Sequence, residues 1–148
     1  MNGISLSGSR RLAGHWSVFC VGLLVVASCS FGADQRAATQ AISQFHDLYN
    51  AENYSAIYAG ADNAFRQAMS EKDLDIFLAA VHRKLGQYQS SVSAGWRMSE
   101  TFSGIQAALA FRSEFVEGEA TEQFLYKVSS GKAYLIRYDI NSRLLVTK

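Results

Sequence analysis

Apolar residues recur every three or four positions through the middle of the chain and at alternate positions through its second half. From Asp34 to Asn50, Ala38, Ile42, Phe45 and Tyr49 form one stripe, which predicts an amphipathic helix with Asp34 as its N-cap. Tyr54 to Tyr58 follows, then a short helix from Asp62 to Met69 with Asp62 as its cap. Ser70-Glu71-Lys72-Asp73 is a capping box with Asp in the place of Glu, and Leu74, Phe77, Leu78, Val81 and Leu85 continue from it as a stripe that Gly86 ends. After Gly86 the period falls to two: Tyr88, Val92, Trp96, Met98 and Phe102; then Ile105, Ala107, Leu109, Phe111 and Phe115; then Phe124, Tyr126 and Val128; then Tyr134, Ile136, Tyr138 and Ile140.

The turns between these strands set a register. A loop at Ser103-Gly104 opposes Phe102 to Ile105 and Met98 to Leu109, and one at Gly118-Glu119 opposes Phe111 to Tyr126 and Phe115 to Glu122. A three-residue loop, Ser130-Gly131-Lys132, opposes Val128 to Tyr134 and Phe124 to Tyr138. All three keep one face apolar, as a half-covered sheet requires. The prediction is an α+β domain over 34–148, with about three N-terminal helices packed on a curved, cone-like, four-stranded antiparallel sheet.

The segment before this domain has the order of a secretion signal: Arg10 and Arg11, the apolar run Val18 to Ala27, then Ala27-Ser28 before Cys29. The run is about half of the roughly 20 residues a spanning helix needs. Val26-Ala27-Ser28-Cys29 after Leu24-Val25 resembles the lipobox of bacterial lipoproteins. The resemblance implies cleavage between Ser28 and Cys29, a diacylglyceryl group on the Cys29 sulfur and usually an acyl chain, such as palmitate, on the new amine. An ordinary signal peptide and an uncleaved anchor are the alternatives. Ser9-Arg10-Arg11 matches the start of a twin-arginine motif, but Ala13-Gly14 replaces its large apolar pair, so the general secretory route is expected. Ser30 after the cysteine implies an outer-membrane location facing the periplasm. The expected organisation is therefore a signal peptide over 1–28, a lipidated tether over 29–33 and the globular domain. Two or three acyl chains give a stable anchor where one gives a marginal hold, so retention at the membrane asks nothing of the domain itself.

Composition narrows the function. A chain of 148 residues makes one domain. Charges of 14 Lys and Arg against 13 Asp and Glu, without basic clustering, leave no footprint for nucleic acid. Both cysteines, Cys20 and Cys29, precede the domain, which excludes a disulfide or a thiolate metal site within it.

Helices followed by an antiparallel sheet resemble the nuclear-transport-factor-2-like and cystatin-like superfamily, and most closely its small exported bacterial members of unknown function. The likeness rests on Phe45-His46-Asp47-Leu48-Tyr49-Asn50, Phe65-Arg66, Leu85-Gly86, Glu122-x-Phe124 and Tyr138-x-Ile140. It implies a fold that often encloses a pocket. Ketosteroid isomerase and scytalone dehydratase belong there beside many members without catalysis, so the fold leaves function open.

Glu122 is the most informative residue, because the predicted register sets it on the apolar face beside Phe124, where an unpaired carboxylate costs several kcal/mol. It reads as a pocket acid or base, or as a rim or structural group hydrogen-bonded to a neighbour such as Tyr138. His46 reads as a pocket base or a boundary histidine, and His82 as a boundary residue. Tyr49, Tyr54, Tyr58 and Trp96 read as an aromatic pocket lining or as core. Arg66 and Arg137 suit capping or surface roles. No phosphate loop, nucleophile elbow or metal-ligand spacing is present, so no cofactor, metal or catalytic set is expected. The other sheet face mixes Arg97, Arg112, Glu114, Lys127, Arg137 and Asp139 with Ala108, Ala110, Leu125 and Leu135, a surface for solvent, a partner or a second copy. The expectation is a non-catalytic, membrane-tethered periplasmic domain that binds a partner protein or a small ligand. The alternative is an isomerase- or dehydratase-type enzyme with Glu122 or His46 as base.

Overall fold

The computed structural model describes residues 27–147, with side chains from Gly32 onwards. The signal segment therefore lies outside the described residues, except that Ala27 to Cys29 open the first helix. That helix, α1 (Ala27–Asn50), starts seven residues before the predicted cap. Asp34 is inside it rather than at its end, and positions 29–33, expected as a tether, are its early turns. Nothing in Ser28-Cys29-Ser30-Phe31-Gly32-Ala33 removes a backbone donor as proline would, so the helical ladder runs on.

Three more helices precede the sheet: α2 (Tyr54–Gly60), α3 (Asn63–Ala68) and α4 (Glu71–Leu85). The count is four rather than about three because Asn53 accepts from the Ala56 amide at 3.3 Å and starts α2 as a helix of its own. Asp62 caps α3 through the Ala64 amide at 2.9 Å, and Ser70 caps α4 through the Asp73 amide at 3.2 Å, as their sequences predict. Gly86 closes α4 with φ 74°, its amide donating to the His82 carbonyl at 2.8 Å. A Cβ there would also meet Val116 at 3.0 Å.

Strands β1 (Tyr88–Thr101), β2 (Gly104–Phe115), β3 (Gly118–Ser129) and β4 (Lys132–Asn141) form an open antiparallel meander in chain order, and the short helix α5 (Arg143–Val146) follows. The fold is α+β, compatible with a nuclear-transport-factor-2-like or cystatin-like architecture.

Each hairpin differs in detail from the predicted register. The first turn is Phe102-Ser103, so Met98 faces Ala107 and Trp96 faces Leu109. The second is Val116-Glu117, whose amides bond to Gln87 and Leu85 carbonyls at 3.0 and 2.9 Å; docking onto the end of α4 draws the turn two residues back. Phe111 consequently faces Glu122 instead of Tyr126, and Phe115 faces Gly118. The shift is even, so every side chain keeps its face. The third turn is the two-residue Ser130-Gly131, with φ 51° and 73°, the backbone of a twisted hairpin turn. It pairs Lys127 with Tyr134 and Tyr126 with Leu135; a bulge at Ile136 then restores Phe124 opposite Tyr138 as predicted. Leu135 is thereby a core residue, 4% exposed, and Tyr134 lies on the outer face. Irregularities in β1 leave Gln89 and Ala94 unpaired and turn Val92 outwards beside Arg112.

The core lies between the helices and the inner faces of β2 to β4. Ile42, Phe45 and Tyr49 of α1 and Leu74, Leu78, Val81 and Leu85 of α4 meet Leu109, Phe115, Phe124, Tyr126 and Val128. Among the described residues no helix is long and apolar enough to cross a membrane.

Candidate functional site

Glu122 is fully buried, and the alternation of β3 between Ala120 and Phe124 forces its carboxylate into the core. Three elements supply it with partners. His46, carried inward by α1 one residue after Phe45, places Nε2 3.0 Å from Oε2. Ser113, on β2 between the inward Phe111 and Phe115, donates its hydroxyl to the same oxygen. Tyr138 of β4 donates to Oε1 at 2.7 Å. Both oxygens are therefore engaged, which is what makes burial of this group tolerable.

Aromatic rings close the site. The His46 ring stacks on Tyr88 at 3.6 Å between centroids and 3° between planes, and Phe45 and Phe124 stand edge-on to it. Phe124 and Phe45 also flank Tyr138. Tyr88 is itself fixed: its amide donates to Asn50 Oδ1 at 2.8 Å and its carbonyl accepts from Asn50 Nδ2 at 2.9 Å. This clasp holds the end of α1 to the start of β1 and so sets the face on which His46 rests.

Three phenols near the carboxylate are held in their protonated form. Burial, then the charge of Glu122, then the hydrogen bond to it raise the Tyr138 hydroxyl well above its ordinary value of 10.0. Burial and then Glu122 raise Tyr126. Burial, followed by Tyr54, Glu122 and Glu52, raises Tyr49, which donates to the Gly86 carbonyl at 3.0 Å. Chemically, the cluster is a continuous path from a phenol through a carboxylate to an imidazole.

The sequence-predicted site residues divide. His46, Glu122 and Tyr138 come together, and Tyr49 lies one helical turn away on α1. Tyr58 is elsewhere, donating to the Arg66 carbonyl at 3.3 Å. Trp96 is 57% exposed on the uncovered part of β1. Tyr54 is buried and packs near Tyr49. Arg66 serves the Ala59 and Ala61 carbonyls, and Arg137 pairs with Asp139 at 2.6 Å on the surface. His82 is partly buried on α4 against the Tyr49 ring. Ser113 and Tyr88 are the additions. Ser113 was readable as a polar residue at an inward position; the stacking of Tyr88 depends on bulged β1 and had no local signal.

Two surface concavities, of about 400 and about 390 Å³, lie apart from this cluster. The first crosses the outer sheet face over Ala108, Ala110, Gln123, Leu125 and Arg137, and the second is lined by Asp62, Arg66, Lys127 and Tyr134 among others. Among the described residues, no three His, Cys, Asp or Glu side chains gather as a metal site would require. Compared with known proteins, the chain matches no protein-family model, and no curated protein is similar to it in sequence.

Proposed function

We propose that the chain is an exported bacterial lipoprotein, anchored through Cys29 in the outer membrane and facing the periplasm, whose domain binds a partner protein or a small ligand without catalysing a reaction. The observation that carries the non-catalytic reading is the saturation of Glu122. Its carboxylate has no exposed surface and accepts from three groups of the chain itself, so neither oxygen is free for a substrate proton. The anchor reading rests on Val26-Ala27-Ser28-Cys29 and the apolar run before it. The outer face of the sheet, with Ala108, Ala110 and Leu125 among charges, is the surface offered to a partner or a second copy.

The test is in two parts. Cys29→Ala should abolish labelling by radioactive fatty acid and block leader removal; unchanged labelling removes the anchor from the reading. Photocrosslinkers at Gln123 and Ala108 of the membrane-bound chain should give a discrete adduct that Leu125→Lys weakens, whereas no adduct from either position argues against a partner on that face.

A second reading draws on the same cluster. Carboxylate, imidazole and phenol within hydrogen-bond reach are the groups an isomerase or dehydratase would use, with Glu122 or His46 as base. A substrate would have to displace Tyr138 or Ser113 from the carboxylate.

A further inference from the structure

The Glu122 cluster is saturated by the chain itself, whereas a second polar cluster, near the β3–β4 turn, is left with donors to spare. The concavity of about 390 Å³ there is lined by Gly60, Asp62, Arg66, Lys127, Ser129 and Tyr134 among others. Its helical side is brought into place by the Asp62 amide, which donates to the Leu135 carbonyl at 2.9 Å and ties the start of α3 to the edge strand β4. On the sheet side, Lys127 of β3 faces Tyr134 of β4, and Ser129, two positions on from Lys127, shares their outer face.

Arg66 is pinned. Its Nη1 donates to the Ala59 and Ala61 carbonyls, and its Nη2 donates to Asn63 Oδ1 at 2.6 Å. These acceptors are all neutral, and they leave the Nε–H and the second Nη2–H without an acceptor among the described residues. Lys127 Nζ lies 3.8 Å from Asp62 Oδ2, close enough for attraction but too far for a hydrogen bond. The other Asp62 oxygen is taken by the Ala64 amide at 2.9 Å. Two cations against one carboxylate leave the lining net positive. Capping the end of α2 explains why Arg66 is held, but it does not use the rest of the guanidinium. A guanidinium fixed by its own chain has already lost its rotamer freedom, so meeting an oxyanion costs little further ordering.

We propose that this concavity binds a small organic anion, its carboxylate or phosphate group hydrogen-bonded by Arg66 and attracted by Lys127, and its body resting against Tyr134. The planar fork of arginine matches the oxygens of such groups, and lysine adds a point charge on a flexible stem. The volume falls at the small end of ligand sites. Asp62 is the built-in competitor, since an arriving anion takes over Lys127 from it. The inference rests on the small-ligand half of the proposed function and deepens it by naming the site and the chemistry of the ligand; the anchor does not enter it.

The test uses the full chain, isolated from cells in a neutral detergent and titrated by calorimetry in Tris chloride with phenyl phosphate, benzoate and inorganic phosphate. The expected result is saturable binding of phenyl phosphate or benzoate with a Kd of about 1 mM or tighter, and weaker binding of inorganic phosphate. Arg66→Lys keeps the charge but not the fork and should weaken binding about tenfold, and Lys127→Gln should weaken it about threefold. Asp62→Asn keeps an oxygen for the Ala64 amide while removing the competing charge, and should tighten binding about threefold, a gain that a purely structural role does not produce. Lys72→Gln, on the exposed side of α4, should change nothing. No saturable binding of any of the three probes overturns the proposal. Equal weakening by Lys127→Gln and Lys72→Gln overturns it in favour of attraction to overall charge, and inorganic phosphate bound as tightly as phenyl phosphate overturns the contact with Tyr134. If Arg66→Lys does not fold, the opposite shifts of Lys127→Gln and Asp62→Asn decide, and the absence of both overturns the site. Crosslinking from Gln123 and Ala108 is read separately: an adduct without anion binding retains the partner and removes this site, and anion binding without an adduct does the reverse.

Discussion

At the scale of single residues, Glu122 is a hub whose value depends on all its partners at once. Removing His46 leaves a buried acceptor short of a donor and a void beside Tyr88, and His46→Ala should cost about 3 kcal/mol by urea unfolding. Tyr138→Phe removes a hydroxyl but keeps the ring packed on Phe45 and Phe124, and should cost about 1 kcal/mol. Because both touch one carboxylate, the double variant should cost measurably less than the sum, and strict additivity would count against a shared network. The phenols give a pH signature as well. Tyr138, Tyr126 and Tyr49 have raised values in the folded chain, so the native state keeps protons that the unfolded chain releases above about pH 10. Their contribution is complete below that pH and is lost as pH rises past it towards the folded values. Stability measured from pH 8 to 12 should be flat and then fall, and Tyr138→Phe should flatten the fall.

At the scale of elements, Gly86 after α4 and Ser130 after β3, both of positive φ, make contrasting tests. Gly86→Ala strains a backbone at φ 74° and presses on Val116, and should lower the thermal midpoint by several degrees. Ser130→Gly relieves a left-handed serine at φ 51°, and should raise stability by up to about 1 kcal/mol; a loss there would show that the serine side chain contributes more than its strain. The stripes and caps from Asp62 to Gly86 were legible because they are local: a side-chain oxygen reaching an amide two or three residues on is written in four consecutive letters. The strands were legible as strands, and Glu122 as an inward polar group, for the same reason. The register was not, because it is set by contacts between distant segments. The docking of Val116-Glu117 onto the end of α4 moves one hairpin, and the bulge at Ile136 exchanges Tyr134 for Leu135 in the core. The start of α1 was missed in the opposite direction: Asp34 has the chemistry of a cap, but a cap only acts where the helix has some reason to begin.

At the scale of the whole molecule, the chain presents three kinds of surface. The helical layer and the inner sheet face bury the Glu122 cluster, the outer face mixes charge with small aliphatic residues, and the edge strand β1 leaves Trp96 exposed in mid-strand and Phe102 exposed at its turn. The clasp of Asn50 on Tyr88 and the bond from His46 to Glu122 have a further consequence in time. His46 and Glu122 are 76 residues apart, whereas the strands of the meander pair with their immediate successors. A chain synthesised amino end first delivers α1 long before the groups that receive it. The first helix to appear is thus the last to be seated. Substitutions on its buried face, such as Ile42→Val, should speed unfolding and leave the refolding rate nearly unchanged in stopped-flow chevrons, whereas Val128→Ala in the meander should slow refolding. The bond that fixes the imidazole is therefore a latch on the order of assembly, closing only when the third strand has already arrived.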